Sequence, residues 1–547
     1  MQEIELRFLI PPARLKGLMR QTKIKSSQVT KLAAHYYDTP EQALAKAGIG
    51  LRIRKEGDDW VQTIKAGGDG IAARLEHNNL LDNEQVQQML NDNTLLPNLT
   101  LYKDTVIAPA LADFKLKKLS KQLTLLYVTD VERITRLIDD DTTPLDDNHV
   151  NSQIEVAYDK GKIIHGNDKS QQHPIHEIEF ELIAGDLDFL FDTAKTWCKR
   201  YKLCLSTVTK AERGGLLITG QAYSPAVSAN LEQLNIDKKT TMPAFIRTAV
   251  HNCLLHILPN SSAIVAGCEQ DSHVWQLYVG ITRLYAVLQA FAGFSDHTNP
   301  EWLPILKQTA TLLDDYRQRA YLASSIEPNL QRYNAPIVDW TAELNTIKIK
   351  PIDAISANDF QLTLLELIAF TMSDPSLETQ ADSCAKDKLS EVLSQQQDTL
   401  IQAAQNLPDT YSAPLESSSP NNNDTKDANA KGADAKNTDV KRDDQQALYN
   451  LQHELALLRY MGEFAIPVFD KKKSKKKSKR WLKRITKAQK AINHYRSHKQ
   501  YQQYYQNKSA TDAKALYGAG WFAAKLASDY KRSQKRLAKA VDSTAFW

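Results

Sequence analysis

A chain of 547 residues is too long for one ordinary core and predicts two folded domains joined by a linker. Its 69 Lys and Arg against 65 Asp and Glu nearly cancel, which argues against a whole-protein attraction to nucleic acid or membrane and directs attention to local charge. Five scattered cysteines, none in a Cys-x-x-Cys pair, argue against a disulfide framework or a zinc site and fit a reducing, cytoplasmic setting. The N-terminus lacks the basic start and apolar run of a signal peptide, and no stretch reads as apolar enough to span a bilayer.

Residues 1–219 read as strands with a few helices. In Glu3-Ile4-Glu5-Leu6-Arg7 the period of two sets Glu3, Glu5 and Arg7 on one face and Ile4, Leu6 and Phe8 on the other. Helical spacing follows over 11–23, and Tyr36-Tyr37-Asp38-Thr39-Pro40 reads as a strand entering a turn. Leu51-Arg52-Ile53-Arg54 repeats the alternation with two guanidiniums in one row, which suits an anion. A strand over 60–65 ends near Gly67, Gly68 and Gly70. These glycines lack the spacing of a phosphate-binding loop and predict a hairpin turn into 72–76, which carries Arg74. Residues 129–138 contribute Arg133, and 154–159 predict a strand that stops at a turn over Lys160 and Gly161.

In Glu177-Ile178-Glu179-Phe180-Glu181 three carboxylates stack on one strand face, where they raise one another's pKa unless a cation intervenes. Solvated outer faces would mix acids and bases along each strand. Here Arg52 and Arg54 form a basic row and the three glutamates an acidic one, with Trp, Phe, Ile and Leu on the alternate faces. The pattern favours strands closed into a barrel, with charged faces lining a ligand-sized interior and apolar faces against helices outside.

These stretches, with Gly50, Lys65 and Ser206-x-x-x-Lys210-Ala211-x-Arg213-Gly214, occur in one order over 1–219 and together resemble the CYTH superfamily, the triphosphate tunnel metalloenzymes. The resemblance implies an α+β fold class: an eight-stranded antiparallel β tunnel with flanking helices, followed by an all-α domain. It implies substrate contacts from Arg7, Arg52, Arg54, Lys65, Arg74, Arg133, Lys210 and Arg213. It implies Mg²⁺ or Mn²⁺ held by Glu3, Glu5, Asp159, Glu177, Glu179 and Glu181, with Glu3, Glu5, Arg54 and Lys65 carrying catalysis. The expected reaction is metal-dependent hydrolysis of tripolyphosphate to pyrophosphate and phosphate. The alternatives are a nucleoside or thiamine triphosphatase, an adenylate cyclase using the same tunnel, or a non-catalytic polyphosphate-binding scaffold. Arg7 stands where the family usually has lysine; a guanidinium can grip phosphate through two hydrogen bonds but cannot give up a proton.

Residues 220–239 suit a linker, and 240–547 change character. Phe245, Ile246, Ala249, Val250, Cys253, Leu254 and Ile257 recur at helical spacing, as do apolar positions in 275–291, 360–372, 448–464 and 513–530, so a helical bundle is expected. Residues 275–285 and Leu458-Arg459-Tyr460 resemble the signature helices of the CHAD domain, which is associated with polyphosphate binding. Trp275 and Tyr449 stand at the family's histidine positions, Tyr278 and Tyr285 replace arginines, and Arg283 remains. The acid-free basic run over 471–487 reads either as a solvated or flexible loop or as an attraction for polyphosphate or nucleic acid; neither a membrane nor a specific nucleic acid is an expected partner. Residues 409–444 are polar enough to be a disordered insertion. His251 and His256 fall on different helix faces and read as structural, and His176 is expected to point away from the Glu177 face.

Overall fold

The structure, a computed structural model, describes residues 2–68, 71–140, 151–232, 234–407, 430–469 and 475–547. Strands β1 (Gln2–Leu9), β2 (Gln28–Asp38), β3 (Gly50–Glu56), β4 (Asp59–Gly67), β5 (Ala73–Leu81), β6 (Thr124–Asp139), β7 (Gln153–His165) and β8 (Gln172–Ala184) form one antiparallel sheet in the order β5-β4-β3-β2-β6-β7-β8-β1. β1 closes the ring by sharing itself: residues 2–4 pair with β5 and residues 5–9 with β8. Where β5 leaves, the two-residue strand β9 (Cys204–Leu205) takes its place against Phe8 and Leu9.

The alternation of each strand becomes inside and outside. Phe8, Ile178 and Phe180 are fully buried on the outer face of β1 and β8. Phe8 meets Phe180 edge-on at 5.6 Å, and Phe180 meets Trp197 of the helix Leu187–Tyr201 at 5.5 Å. Leu51, Ile53, Trp60 and Ile64 face outward on β3 and β4 and pack under the helical segments between residues 83 and 123. Asp38 explains the Tyr-Tyr-Asp-Thr-Pro stretch: its carboxylate accepts from the backbone N–H groups of Thr39, Leu44 and Ala45 at 2.7, 2.9 and 2.8 Å, capping the short helix Ala43–Lys46.

One local expectation fails. β7 does not turn at Lys160 and Gly161 but runs through them, with Gly161 between Val131 of β6 and Ile175 of β8. A Cβ on Gly161 would lie 2.1 Å from the carbonyl oxygen of Asp130, so the glycine serves close backbone approach within the sheet. β4 and β5 pair antiparallel as a hairpin, with Asp69 and Gly70 outside the described residues.

The second half is helical, its longest members being Met242–Val265, Asp271–Phe291, Trp302–Tyr321, Ala385–Gln405, Ala430–Phe469, Lys475–Ser509 and Ala515–Val541. Its core is continuous with the outer face of the barrel, which also meets it through hydrogen bonds from Leu205 N to Gln361 (2.8 Å) and Thr207 N to Ser262 (3.0 Å). Contrary to the sequence expectation, one stretch, Asp271–Phe294, is long and apolar enough to cross a membrane by length and composition. It is a core helix here, with Leu277, Ile281, Leu284 and even Arg283 buried. Of the polar insertion, 408–429 lie outside the described residues, and the backbone of 430–444 opens the helix Ala430–Phe469. The basic run is also not a loop where it is described: residues 475–487 are helical because Trp481, Ile485, Ala488 and Ile492 give that segment a buried face. Residues 471–474 lie outside the described residues.

Candidate active site inside the barrel

The barrel encloses a cavity of about 1150 Å³. Glu3, Glu5 and Arg7 reach it from β1, Arg52 and Arg54 from β3, Lys65 from β4, Arg74 from β5, Arg133 from β6, Asp159 from β7, and Glu179 and Glu181 from β8. The last wall is the helix Lys210–Thr219, started by Thr209, whose side chain accepts from Glu212 N at 3.0 Å. That helix can lie against Tyr127 because residue 214 is glycine: a Cβ there would sit 2.2 Å from the tyrosine ring. Its first residue, Lys210, is thereby turned among the carboxylates.

Strand register sorts the charges into rows. Glu155 faces Glu181 and Glu181 faces Glu5 across β7, β8 and β1, which lays three carboxylates side by side; of these, Glu5 is also paired with Arg7. Beyond them Arg7 faces Glu179, and Arg133 faces Asp159, which faces Glu177. This second group is densely paired. Arg133 binds Asp159 through two parallel hydrogen bonds of 2.8 and 2.7 Å and Glu179 through a third of 2.6 Å. Lys210 reaches Asp159 and Glu179 at 2.7 Å each and also contacts Glu177, while Arg7 donates to Glu179 at 2.9 Å. Arg213 pairs with Glu177, and neither residue belongs to the cavity lining.

The electrostatics follow the rows. Burial opposes ionisation of Glu179 and Asp159, but Lys210, Arg7 and Arg133 hold Glu179 well below the usual carboxylate range, and Lys210 and Arg133 hold Asp159 below it. Glu181 has no ion pair among the described residues: burial, opposed by the charge of Lys65 and helped by Glu5 and Glu155, pushes it up to about 7. Burial also pushes Glu3 up to about 8, helped by Glu5 and Glu76 and opposed by Lys65, which sits 2.7 Å from both Glu3 oxygens. On the basic side, burial and the neighbouring charges of Arg52 and Arg133 bring Arg54 down to about 10. The Nε of Arg52 is buried without a hydrogen-bond partner among the described residues.

Asp159, Glu177 and Glu179 present oxygens within 4.8 Å of one another, a spacing that suits a cation, yet protein cations already hold all three. The less densely paired group is Glu3, held by Lys65, Glu5, held by Arg7, and Glu155 and Glu181, which have no ion pair among the described residues. Its all-oxygen donor set fits a hard divalent ion such as Mg²⁺ or Mn²⁺. Two site residues carry no motif of their own, Glu155 and Glu76; the latter lies 2.6 Å from Lys65, which, against burial, holds it down to about 2. The alternation that marks Arg74 and Asp159 extends to each of them. His176 is exposed while Glu177 is buried, and His256 is buried with Nε2 3.0 Å from Gln276.

In the helical half, Arg283 does not offer itself to an anion. It is buried over the Phe464 ring and donates to Asn252 at 3.1 Å. Arg459 is held by Glu463 and Gln489 at 2.8 and 2.7 Å.

The fold and site define a closed antiparallel barrel lined by opposed acidic and basic rows and joined to a helical bundle. Residues 1–214 match the CYTH domain and residues 248–503 match the CHAD domain. An inorganic triphosphatase from Haemophilus influenzae is 32% identical over 223 residues, which is 40% of this chain and 55% of that relative. The match thus spans about half the length of the relative. Among solved structures, the CHAD domain from the plant Ricinus communis is similar at 16% identity over 57% of this chain and 96% of its own, with a TM-score of 0.41. PptA from Streptomyces chartreusis is similar at 15% identity over 55% of this chain and 99% of its own, with a TM-score of 0.39.

Proposed function

We propose that the barrel hydrolyses a terminal phosphoanhydride bond of a linear triphosphate, with tripolyphosphate as the substrate and pyrophosphate and phosphate as products. The observation that carries this reading is the opposition, in one cavity, of a basic wall (Arg52, Arg54, Lys65 and Arg74) to the acid row of Glu155, Glu181 and Glu5, in which Glu155 and Glu181 have no ion pair among the described residues. The inorganic triphosphatase relative supports it over the same domain.

Arg52 and Arg54 share one face of β3 and supply donors for phosphoryl oxygens, where negative charge spreads in the transition state, Arg54 from a guanidinium whose Nε and Nη2 also hold Glu56. Lys65 stays protonated between Glu3 and Glu76 and adds a point charge beside those donors. Arg7, Arg133 and Lys210 spend their charge on Glu179 and its neighbours, which makes them the fixed floor against which the substrate end is positioned. A divalent Mg²⁺ or Mn²⁺ ion held by Glu3, Glu5 and Glu181 would neutralise phosphate charge and acidify an attacking water. No covalent nucleophile is required.

The test is phosphate release by the full chain from tripolyphosphate, ATP and thiamine triphosphate with Mg²⁺ and with Mn²⁺. Release is expected to be fastest from tripolyphosphate and to be lost in Glu3→Gln and Glu179→Gln. No release from any substrate, or full release by either variant, would overturn the assignment.

A further inference from the structure

A second group of potential metal ligands lies far along the chain from the barrel residues, in the last two helices. His494 and His498 are four positions apart on Lys475–Ser509 and so share one helix face. Their rings are 4.0 Å apart between centroids. Both turn toward one carboxylate on the next helix, Asp529 of Ala515–Val541: His498 Nδ1 lies 2.8 Å from one oxygen and His494 Nε2 lies 3.8 Å from the other. One ligand atom from each of the three lies within 4.8 Å of the other two.

A buried hydrogen bond between helices needs only one of these histidines. The second, set edge-on one turn away, is poorly explained as a charge partner, because two imidazolium rings this close repel. The side chains of Asp529 and His498 are 9% and 12% exposed and that of His494 is 39% exposed, so the cluster is closed on the protein side and open on one edge. The rings of Phe522 and Trp521 flank His498 at 5.1 and 6.4 Å and wall it against the core. Two imidazoles and a carboxylate with an open fourth side are the donor set and geometry of a three-ligand site for a borderline divalent ion. Tetrahedral coordination at ordinary bond lengths sets neighbouring ligands roughly 3.3 Å apart, within the spread observed here.

We propose that His494, His498 and Asp529 form a binding site for one Zn²⁺-class ion, which staples the C-terminal helix Ala515–Val541 to Lys475–Ser509. Its ligand chemistry differs from that of the barrel: imidazole nitrogen selects Zn²⁺ or Co²⁺, whereas the tunnel carboxylates suit Mg²⁺ or Mn²⁺. The site does not depend on any reading of the tunnel.

The test uses the tag-free full chain, stripped with a chelator and kept in excess Mg²⁺ so that barrel carboxylates are not the readout. Zn²⁺ is titrated in competition with a chromophoric chelator, and Co²⁺ is followed by its visible ligand-field bands. The chain is expected to take up one tight equivalent of Zn²⁺, to show the bands of a low-coordinate Co²⁺ site, and to melt at a higher temperature with Zn²⁺. All three should be lost in His494→Gln, whose half-exposed side chain can change without disturbing the core, and in Asp529→Asn where that variant folds. Zn²⁺ uptake by His494→Gln equal to that of the parent, or no tight equivalent in the folded parent, would overturn the proposal.

Discussion

The affinity of the barrel for a divalent cation should rise steeply with pH, because two of the carboxylates that face it hold their protons near neutrality. Burial and the neighbouring acids bring Glu181 up to about 7 and Glu3 up to about 8. A cation that uses both must displace both protons. Near pH 6, Glu181 is ionised in roughly one molecule in ten and Glu3 in roughly one in a hundred, while near pH 9 both are ionised. Affinity should therefore climb roughly a thousandfold across that interval, ~4 kcal/mol at about 1.36 kcal/mol per unit. Free Mn²⁺ measured by electron paramagnetic resonance during titration of the full chain at constant ionic strength reads this directly. Glu181→Gln should remove the lower step and leave roughly a hundredfold rise. A pH-independent affinity would refute the assignment of these carboxylates to the cation. Stability without metal should run the other way. Both groups sit above their ordinary value of 4.5, so their contribution is fully present below that pH and is lost as pH rises through about 7 and 8. The metal-free melting temperature should fall over that range, and saturating Mn²⁺ should abolish the fall.

Lys210→Met removes the ammonium shared by Asp159, Glu177 and Glu179 and should cost about 3–5 kcal/mol of barrel stability, read by urea denaturation; a loss under ~1 kcal/mol would contradict the paired floor. Arg52→Ala should leave folding intact, since its Nε has no partner among the described residues and its bond to the Tyr36 hydroxyl is long at 3.5 Å, and should raise KM for tripolyphosphate roughly tenfold or more, the scale of a charge-assisted hydrogen bond. An unchanged KM would take Arg52 out of the basic wall. Gly161→Ala should prevent normal pairing of β6 and β7, because its Cβ would fall 2.1 Å from Asp130 O; circular dichroism and melting of the purified variant would reveal a tolerated alanine as a refutation.

Much of the site was legible because strand alternation is local. Glu3, Glu5 and Arg7, Arg52 and Arg54, and Glu179 and Glu181 all face the cavity as their period of two requires. Gly161 was misleading for the opposite reason. A glycine that relieves contact between strands reads, in one dimension, like a glycine that turns the chain. The helix over 475–487 was hidden by its lysines, since the four buried residues that anchor it are diluted by a charged outer face. The apolar character of Asp271–Phe294 likewise belongs to a helix covered by its neighbours, a distinction that only packing supplies.

What the sequence determined by itself was which side chains share a face, the division into a strand-rich and a helical half, and the order of the motifs. Which acid meets which base was decided by tertiary structure. Arg7 faces Glu179 and also reaches Glu5, and Arg133 faces Asp159, so those charges neutralise one another, whereas Glu181 and Glu155 face each other and have no ion pair among the described residues. The same holds for His494 and His498, whose spacing is visible in one helix but whose carboxylate partner, Asp529, arrives from another. The reason is physical: alternation and helical period are set by backbone geometry within a few residues, while register and helix contact depend on groups far apart in the chain that meet only when the barrel closes and the bundle packs.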